Sequence, residues 1–132
     1  MTETRYTFRK KERLSSIKLI NSLFEDGKAL FSYPFKIYYN TNPEGINRIL
    51  ISVPKRQHKK AVNRNLIRRR IRESYRLNRE ILESVPGLDF AVVYISSEIL
   101  DYNQINTALK NALSKLKKYS DTDSIGTTNS AD

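Results

Sequence analysis

Arginine is the residue whose type and spacing stand out in this sequence, because seven arginines fall between residues 61 and 79. A guanidinium is a planar fork of N–H donors that can bind two phosphate oxygens at once. Residues 55–79 hold eleven lysines and arginines against one acid, Glu73, a balance of +10. The remaining residues hold thirteen bases and thirteen acids. One segment therefore carries the whole net charge, and nucleic acid is the commonest target of such a field.

The arginines gather on one side of a helix when residues 61–84 are placed on a helical wheel. At 100° per residue, four apolar side chains fall between about 140° and 220° and form the predicted face against a sheet: Ile67, Ile71, Tyr75 and Leu82. Five arginines share an adjoining arc of about 100°, with Asn65 in its middle: Arg68, Arg69, Arg72, Arg76 and Arg79. Like charges four residues apart, as in Arg68, Arg72 and Arg76, destabilise a helix. Five bases without an acid partner on their face therefore indicate an anionic ligand.

RNA is the nucleic acid that the wider pattern favours. A helix face that is simply solvated normally carries both positive and negative side chains. A membrane surface or an acidic protein remains the alternative to nucleic acid as the ligand. A helix between strands does not suit a helix-turn-helix reader of DNA, whereas sheets with exposed aromatic residues often bind single-stranded RNA. Lys36 and Tyr38 share the less apolar face of a predicted strand, where phosphate contact and base stacking could combine. Ordinary sheet packing of Tyr38 is an equal alternative.

The elements that must position these residues follow an α+β pattern. A first helix should begin at Ser15 or Ser16 and stop at Gly27, and the last should begin with a capping box of Asp101 and Gln104. Strands are predicted over 35–40, 48–53 and 89–96, with room for a short extra strand before Pro34. The strand 48–53 is apolar on both faces, which predicts a central position. The order αβ(β)βαβα predicts a central mixed sheet of about four strands with three helices.

Composition sets the limits of the chain's organisation. Its 132 residues fit one domain over 1–119, with a basic arm at 1–13 and a polar tail at 120–132 that is predicted to be disordered. The absence of cysteine excludes disulfides and thiol catalysis. No apolar run approaches the roughly 20 residues of a membrane span, and the start lacks the apolar stretch of a signal peptide. We therefore expect a cytoplasmic protein with no membrane partner.

The sequence contains no recognisable catalytic centre for a nuclease. Such a centre needs carboxylates that bind metal, or an acid–base pair. The single histidine, His58, lies in a basic loop, and we interpret it as an RNA-contacting or idle loop residue. Glu80 and Glu83 are three residues apart on a helix, where capping or solvation is the default. We therefore expect no catalytic and no metal-binding residue in the protein, which disfavours a stand-alone nuclease.

Residues 59–73, KKAVNRNLIRRRIRE, resemble the signature of the bacterial ribonuclease P protein family, approximately K-x-A-V-x-R-N-R-I-K/R-R-x-x-R-E. FRKKERL at 8–14 is similar to the family's F-x-K-x-x-R-L entry segment, and residues 48–56 are similar to its R-x-G-x-x-V-s-K-K strand and turn. The resemblance spans about residues 8–118. Leu66 departs from it, because it stands where the R-N-R core has its second arginine, and the strand glycine is replaced near Leu50 or Ile51.

The resemblance implies both a fold and an activity. The fold would be an α–β sandwich, shared with a ribosomal-protein domain, in which a left-handed crossover joins two parallel strands through the arginine helix. The protein would form a ribonucleoprotein with a catalytic RNA that removes the 5′ leader of precursor tRNA. Mg²⁺ would be bound mainly by the RNA, and no obligate protein partner is expected. A ribosomal-protein-like RNA-binding module without a processing role is the alternative.

Three groups of site residues are expected. The catalytic RNA would contact Lys59, Lys60, Arg64, Asn65, Arg68, Arg69, Arg72 and Arg76. The single-stranded leader would lie in a cleft between the first helix and the sheet, lined by Ile20, Phe24, Lys36 and Tyr38. Other RNA contacts are expected from Arg9, Lys10, Lys11, Arg13, Lys55 and Arg56. The ribonuclease P interpretation thus predicts two separate RNA sites, whereas the alternative predicts one.

Overall fold

The computed structural model describes residues 12–85 and 87–129 and contains three α-helices and four strands. In chain order these are α1 (Ile17–Asp26), β1 (Lys28–Ser32), β2 (Phe35–Thr41), β3 (Arg48–Ser52), α2 (Ala61–Asn78), β4 (Leu88–Tyr94) and α3 (Tyr102–Asn129). A 3₁₀-helix, Arg79–Leu82, follows α2 directly. The α+β class is confirmed, and β1 is the short extra strand before Pro34.

The four strands form one mixed sheet in the order β1-β2-β4-β3. β2 pairs antiparallel with β1 and with β4, whereas β3 runs parallel to β4. Parallel neighbours cannot be joined by a tight turn, so the chain crosses over between them, and α2 lies in that crossover. The left hand of the crossover, which the resemblance implies, stays a prediction.

β3 lies at an edge of the sheet, so the prediction of a central position for residues 48–53 is wrong. The two central strands are β2 and β4, and all residues of β4 but one are buried. β3 is apolar on both faces because Ile49 and Ile51 pack with the main core and Leu50 packs with a smaller cluster on the other face. The chain before α1 covers its outer edge. The Leu14 N–H donates to the Ile49 carbonyl oxygen at 2.9 Å, and Arg13 pairs with Ile49 as an isolated parallel bridge. Covering an edge in this way blocks pairing with other chains.

The main core lies between one face of the sheet and the helices α2 and α3. Ile67, Ile71 and Tyr75 of α2 are buried, and so is Leu82 in the 3₁₀-helix. The predicted sheet-facing side of the arginine helix is thereby confirmed. The helix itself is shorter than the predicted 61–84, because the chain tightens into the 3₁₀-helix after Asn78.

α1 packs on the opposite face of the sheet and covers only part of it. Leu14, Leu23 and Ala91 form a small buried cluster there, with Tyr38 and other half-buried residues around it. The Ser16 side chain accepts a hydrogen bond from the Leu19 N–H at 3.3 Å and caps the helix, so the second of the two candidate caps is used. The helix is only 10 residues long, which leaves the neighbouring part of this face open.

α3 begins where the sequence predicts and ends later. The Asp101 N–H donates to Gln104 Oε1 at 3.0 Å and the Gln104 N–H donates to Asp101 Oδ1 at 2.8 Å, so the capping box is confirmed. The helix continues to Asn129, so residues 120–129 of the predicted disordered tail are helical. Extending an existing helix needs far less favourable sequence than starting one. Residues 130–132, and residues 1–11 of the predicted arm, lie outside the described residues.

An ion pair between Arg48 and Asp89 ties β3 to β4. Arg48 Nε donates to Asp89 Oδ1 at 2.7 Å and Nη2 donates to Oδ2 at 3.1 Å. Asn42 Nδ2 adds a third hydrogen bond to the same carboxylate at 2.8 Å. The Asp89 side chain is only 6% exposed, and its hydrogen bonds raise the pKa of the Arg48 guanidinium above its ordinary value. The carboxylate thus satisfies the guanidinium where water reaches both poorly.

Replacing Asp89 by asparagine should lower the free energy of unfolding by about 3 kcal/mol, because removing one member of a buried pair leaves the other charge poorly solvated. Urea unfolding followed by circular dichroism measures the change. Glu44→Gln is the matched control, because Glu44 contacts the same guanidinium at 3.2 Å but is 53% exposed. Its expected cost is under about 1 kcal/mol. Equal losses in the two variants would contradict the role given to the buried pair.

Candidate nucleic-acid interface

The outward side of α2 carries a groove of basic and amide side chains. Arg68 Nη1 donates to Asn65 Oδ1 at 2.8 Å, which holds a guanidinium beside the amide. Arg69 and Arg72 are exposed on the same surface. The groove is lined by Val62, Asn63, Asn65, Leu66, Arg68, Arg69 and Arg72. The structure thus brings together four of the residues predicted to contact the catalytic RNA. Their packing on the sheet through Ile67 and Ile71 fixes the direction in which they project.

Two arginines of the predicted arc have acid partners, so the expectation of five bases without one is wrong. Arg76 donates to Glu73 through Nε at 3.2 Å and through Nη2 at 2.5 Å. These hydrogen bonds raise the pKa of Arg76 and lower the pKa of Glu73. Arg79 Nη1 donates to Glu12 Oε1 at 2.6 Å, and both side chains are largely buried. The C-terminal end of the arc is therefore partly neutralised within the protein.

The Arg64 side chain contacts the loop before α2 and does not point only outward. Its Nη1 donates to the carbonyl oxygens of His58 at 2.9 Å and of Lys59 at 2.8 Å. His58 is buried, with Nε2 at 2.7 Å from the Ser96 carbonyl oxygen and its ring 5.7 Å from the ring of Tyr94. The interpretation of His58 as an RNA-contacting or idle residue is wrong, because it fastens the loop to the end of β4. The cations exposed on that loop are Lys55, Arg56, Lys59 and Lys60.

The four residues predicted to line the leader cleft lie together where α1 meets the open part of the sheet, and this group is called the aromatic cleft. The rings of Phe24 and Tyr38 meet edge to face, with centroids 4.8 Å apart. Lys36 Nζ lies 5.1 Å from the centroid of the Tyr38 ring, within cation–π distance. Ile20 packs against the same small core cluster as Tyr38. An aromatic pair with a cation beside it offers both a stacking surface and a charge for phosphate.

A second groove connects the arginines of α2 with the chain before α1. It is lined by Arg13, Leu14, Ser15, Ile49, Leu50, Ile51, Arg68 and Arg72. Positive charge therefore continues from α2 across the covered edge of β3 towards α1. No local sequence pattern predicts this connection, because it depends on the Glu12–Arg79 pair and on the Arg13–Ile49 bridge, whose members are far apart along the chain. Arg9, Lys10 and Lys11 lie outside the described residues.

Metal ligands and membrane spans are both absent from the part of the chain that the structure describes. No three histidine, aspartate or glutamate side chains there come together as a metal site. None of the helices in that part combines the length and the apolar character needed to cross a bilayer. The described surfaces offer charge, amides and aromatic rings, which suit binding of a polyanion.

Known proteins are similar to this chain over most of its length. The sequence model of a family described as Ribonuclease P matches residues 8–117. The chain is similar to the ribonuclease P protein component of Porphyromonas gingivalis, with 32% identity over 115 residues that cover 81% of this chain and 84% of the relative. Similarity to the ribonuclease P protein component of Petrotoga mobilis reaches 37% identity over 116 residues, 84% of this chain and 96% of the relative.

Solved structures match the fold as well. The ribonuclease P protein of Staphylococcus aureus superposes with a TM-score of 0.70 at 25% identity, covering 80% of this chain and 95% of the other. The ribonuclease P protein of Thermotoga maritima superposes with a TM-score of 0.69 at 26% identity, covering 79% of this chain and 96% of the other. The helices, the mixed sheet and their order therefore match known ribonuclease P proteins.

Glu12→Gln should loosen the chain before α1, because it removes the negative charge that faces the largely buried Arg79 guanidinium. We expect the Leu14 amide, which is bonded to Ile49, to exchange its hydrogen roughly tenfold faster, equivalent to about 1.4 kcal/mol of local stability. Hydrogen exchange followed by NMR measures this rate. Glu25→Gln, on the exposed side of α1, makes the same charge change and should leave Leu14 unaffected. Unchanged exchange in Glu12→Gln would show that the pair does not hold this segment.

Proposed function

Because this chain belongs to the ribonuclease P protein family, we propose that it is the protein subunit of a cytoplasmic ribonuclease P. It binds the catalytic RNA and the 5′ leader of precursor tRNA, and so assists endonucleolytic removal of the leader. The proposed complex needs no obligate protein partner. The observation that carries it is the presence of two chemically different surfaces on one small fold: the arginine face of α2 and the aromatic cleft beside α1.

The arginine face of α2 is the proposed contact for the catalytic RNA. Folded RNA presents closely spaced phosphates, and guanidinium forks match phosphate oxygens in geometry as well as in charge. Arg68, Arg69 and Arg72 project from one groove, and the amide of Asn65 lies among them. The exposed loop cations Lys55, Arg56, Lys59 and Lys60 lead into the start of the same helix. Together they present a continuous cationic surface for a structured RNA.

The aromatic cleft is the proposed contact for the single-stranded leader. Unpaired bases expose their faces, and stacking on an aromatic side chain contributes about 1–3 kcal/mol per base with little sequence preference. Phe24 and Tyr38 supply the rings, and the Lys36 ammonium beside Tyr38 supplies charge for a backbone phosphate. A cleft of this kind suits leaders of many sequences, which a general tRNA-processing enzyme must accept.

The hydrolysis itself is assigned to the RNA subunit. Cleavage that leaves a 5′-phosphate and a 3′-hydroxyl calls for metal-activated water, and the described residues of this chain bring no set of metal ligands together. Mg²⁺ would therefore be bound mainly by the RNA. The contribution of this chain is positional, because two surfaces on one rigid sheet hold the leader at a fixed place relative to the catalytic RNA.

A cleavage assay on precursor tRNA at low Mg²⁺ tests the proposal, with the bacterial catalytic RNA alone, the protein alone, and both together. We expect efficient cleavage at the mature 5′ end only from the pair. Tight RNA binding without stimulation would favour the alternative of a ribosomal-protein-like module that uses the arginine face alone. Cleavage by the protein without added RNA would overturn the assignment of catalysis to the RNA.

Tyr38→Ala and Arg69→Ala should separate the two RNA sites. Tyr38→Ala should weaken binding of precursor tRNA to the assembled enzyme roughly tenfold, because one stacking ring is lost. It should leave affinity for the catalytic RNA unchanged. Arg69→Ala should weaken binding of the catalytic RNA and lower the slope of log affinity against log salt by about 0.7–0.9, the effect of one lost phosphate contact. Filter binding over a salt series measures both affinities.

Two matched variants test whether loss of folding, and not loss of an RNA contact, causes these changes in affinity. Tyr38→Phe keeps the ring and should bind precursor tRNA like the wild type. Lys110→Ala removes an exposed cation from α3, away from both surfaces, and should leave the salt slope unchanged. Equal loss of both affinities in Tyr38→Ala, or of neither, would contradict the existence of two sites.

A further inference from the structure

Phe31 on β1 is an exposed aromatic residue that none of the surfaces described above includes. Its side chain is 54% exposed, although it lies within a regular strand. Its carbonyl oxygen accepts a hydrogen bond from Lys115 Nζ at 2.6 Å, which anchors this edge strand to α3. The backbone that carries the ring is therefore held in place, while the ring itself faces solvent.

The strand register places Phe31 on the same face of the sheet as the aromatic cleft. Phe31 lies directly opposite Lys36 in the antiparallel pair of β1 with β2, and paired residues project to the same side. Its neighbour Leu30 is buried in the main core, so alternation along the strand also directs Phe31 to the other face. Tyr38, two residues from Lys36, is then a diagonal neighbour of Phe31 at about 7–8 Å.

The surroundings of Phe31 distinguish it from an ordinary exposed apolar residue. Single exposed apolar side chains are common on protein surfaces and need no ligand. Here, however, Phe24, Tyr38 and Phe31 follow one another across one face. Lys36 neighbours both of the last two, because it lies opposite Phe31 and two residues before Tyr38 on β2. A cation set among rings is unfavourable for an apolar peptide, whereas it matches a chain that alternates flat bases with phosphates.

We propose that Phe31 is a further base-stacking site for the single-stranded leader, one nucleotide beyond the base at Tyr38 on the side away from α1. The inference rests on the proposed function, since it lengthens the same leader path. The diagonal spacing of the two rings is comparable with that of neighbouring bases in an extended, unstacked strand. Lys36, which neighbours both rings, would face the phosphate that joins the two nucleotides. The leader path thus runs from α1 across β2 to the edge strand β1.

The test uses the enzyme assembled from the full chain and the catalytic RNA, with precursor tRNAs whose leaders are shortened one nucleotide at a time. Phe31→Ala should weaken binding roughly fivefold or more, the lower end of base–aromatic stacking, but only for leaders long enough to pass Tyr38. Tyr38→Ala should show its loss at shorter leaders. Phe31→Tyr should bind like the wild type, and Tyr119→Ala, which removes an exposed ring from α3, should have no effect.

Each of four other outcomes would overturn the Phe31 site. Leader-dependent binding that Tyr38→Ala weakens and Phe31→Ala does not, at any length, overturns the Phe31 site and leaves the proposed function standing. Equal loss in Phe31→Ala for mature tRNA and for every leader length assigns the residue a structural role and also overturns the site. Wild-type affinity in Phe31→Leu would show that an apolar side chain at this position is enough for binding, which overturns base stacking on Phe31. Binding by the wild type that does not depend on the leader overturns the proposed leader contact and the Phe31 site together.

Discussion

The parallel pairing of β3 with β4 is the constraint on which the rest of the structure depends. Parallel neighbours require a crossover, and here the crossover contains the most basic segment of the chain. α2 must bury Ile67, Ile71 and Tyr75 against the sheet, so its arginines can only point away from it. The same apolar contact that completes the core therefore fixes the direction of the cationic face. Fold and binding surface are consequences of one arrangement.

The opposite face of the sheet is left to α1, whose short length decides what can be built there. A longer helix, or a second one, would bury Tyr38 and Lys36 completely. With one helix of 10 residues, the rings of Phe24 and Tyr38 meet at the rim of the covered area and stay accessible. The groove past Arg13 runs from α2 across the edge of β3 to the chain before α1. In the proposed enzyme, one sheet would hold the RNA on α2 and the leader in the cleft from its two opposite faces, which suits the positional role.

Local patterns predicted the features that depend on local forces. The buried side of α2, the capping box of α3 and the strands of the sheet all follow from periodicity and end signals. The place of β3 at the edge, the burial of His58 and the Glu12–Arg79 pair depend on contacts between distant segments, which periodicity does not encode. The four residues of the cleft were named through family resemblance, because α1 and β2 meet only in the folded chain. The proposed site at Phe31 could not be predicted, because an exposed ring next to a turn carries no periodic signal.

Leu66 is a departure from the family's signature within the proposed RNA interface. The residue is half-buried in the groove of α2, beside the exposed Val62, so an apolar step interrupts the row of cations. Lys59 and Lys60 are exposed just before the helix and keep the charge of this end high. Long-range attraction depends on summed charge and survives such an exchange. A lysine, however, offers a mobile point charge where arginine offers a rigid fork. The geometry of the proposed phosphate contact would therefore rest more heavily on Arg68, Arg69 and Arg72.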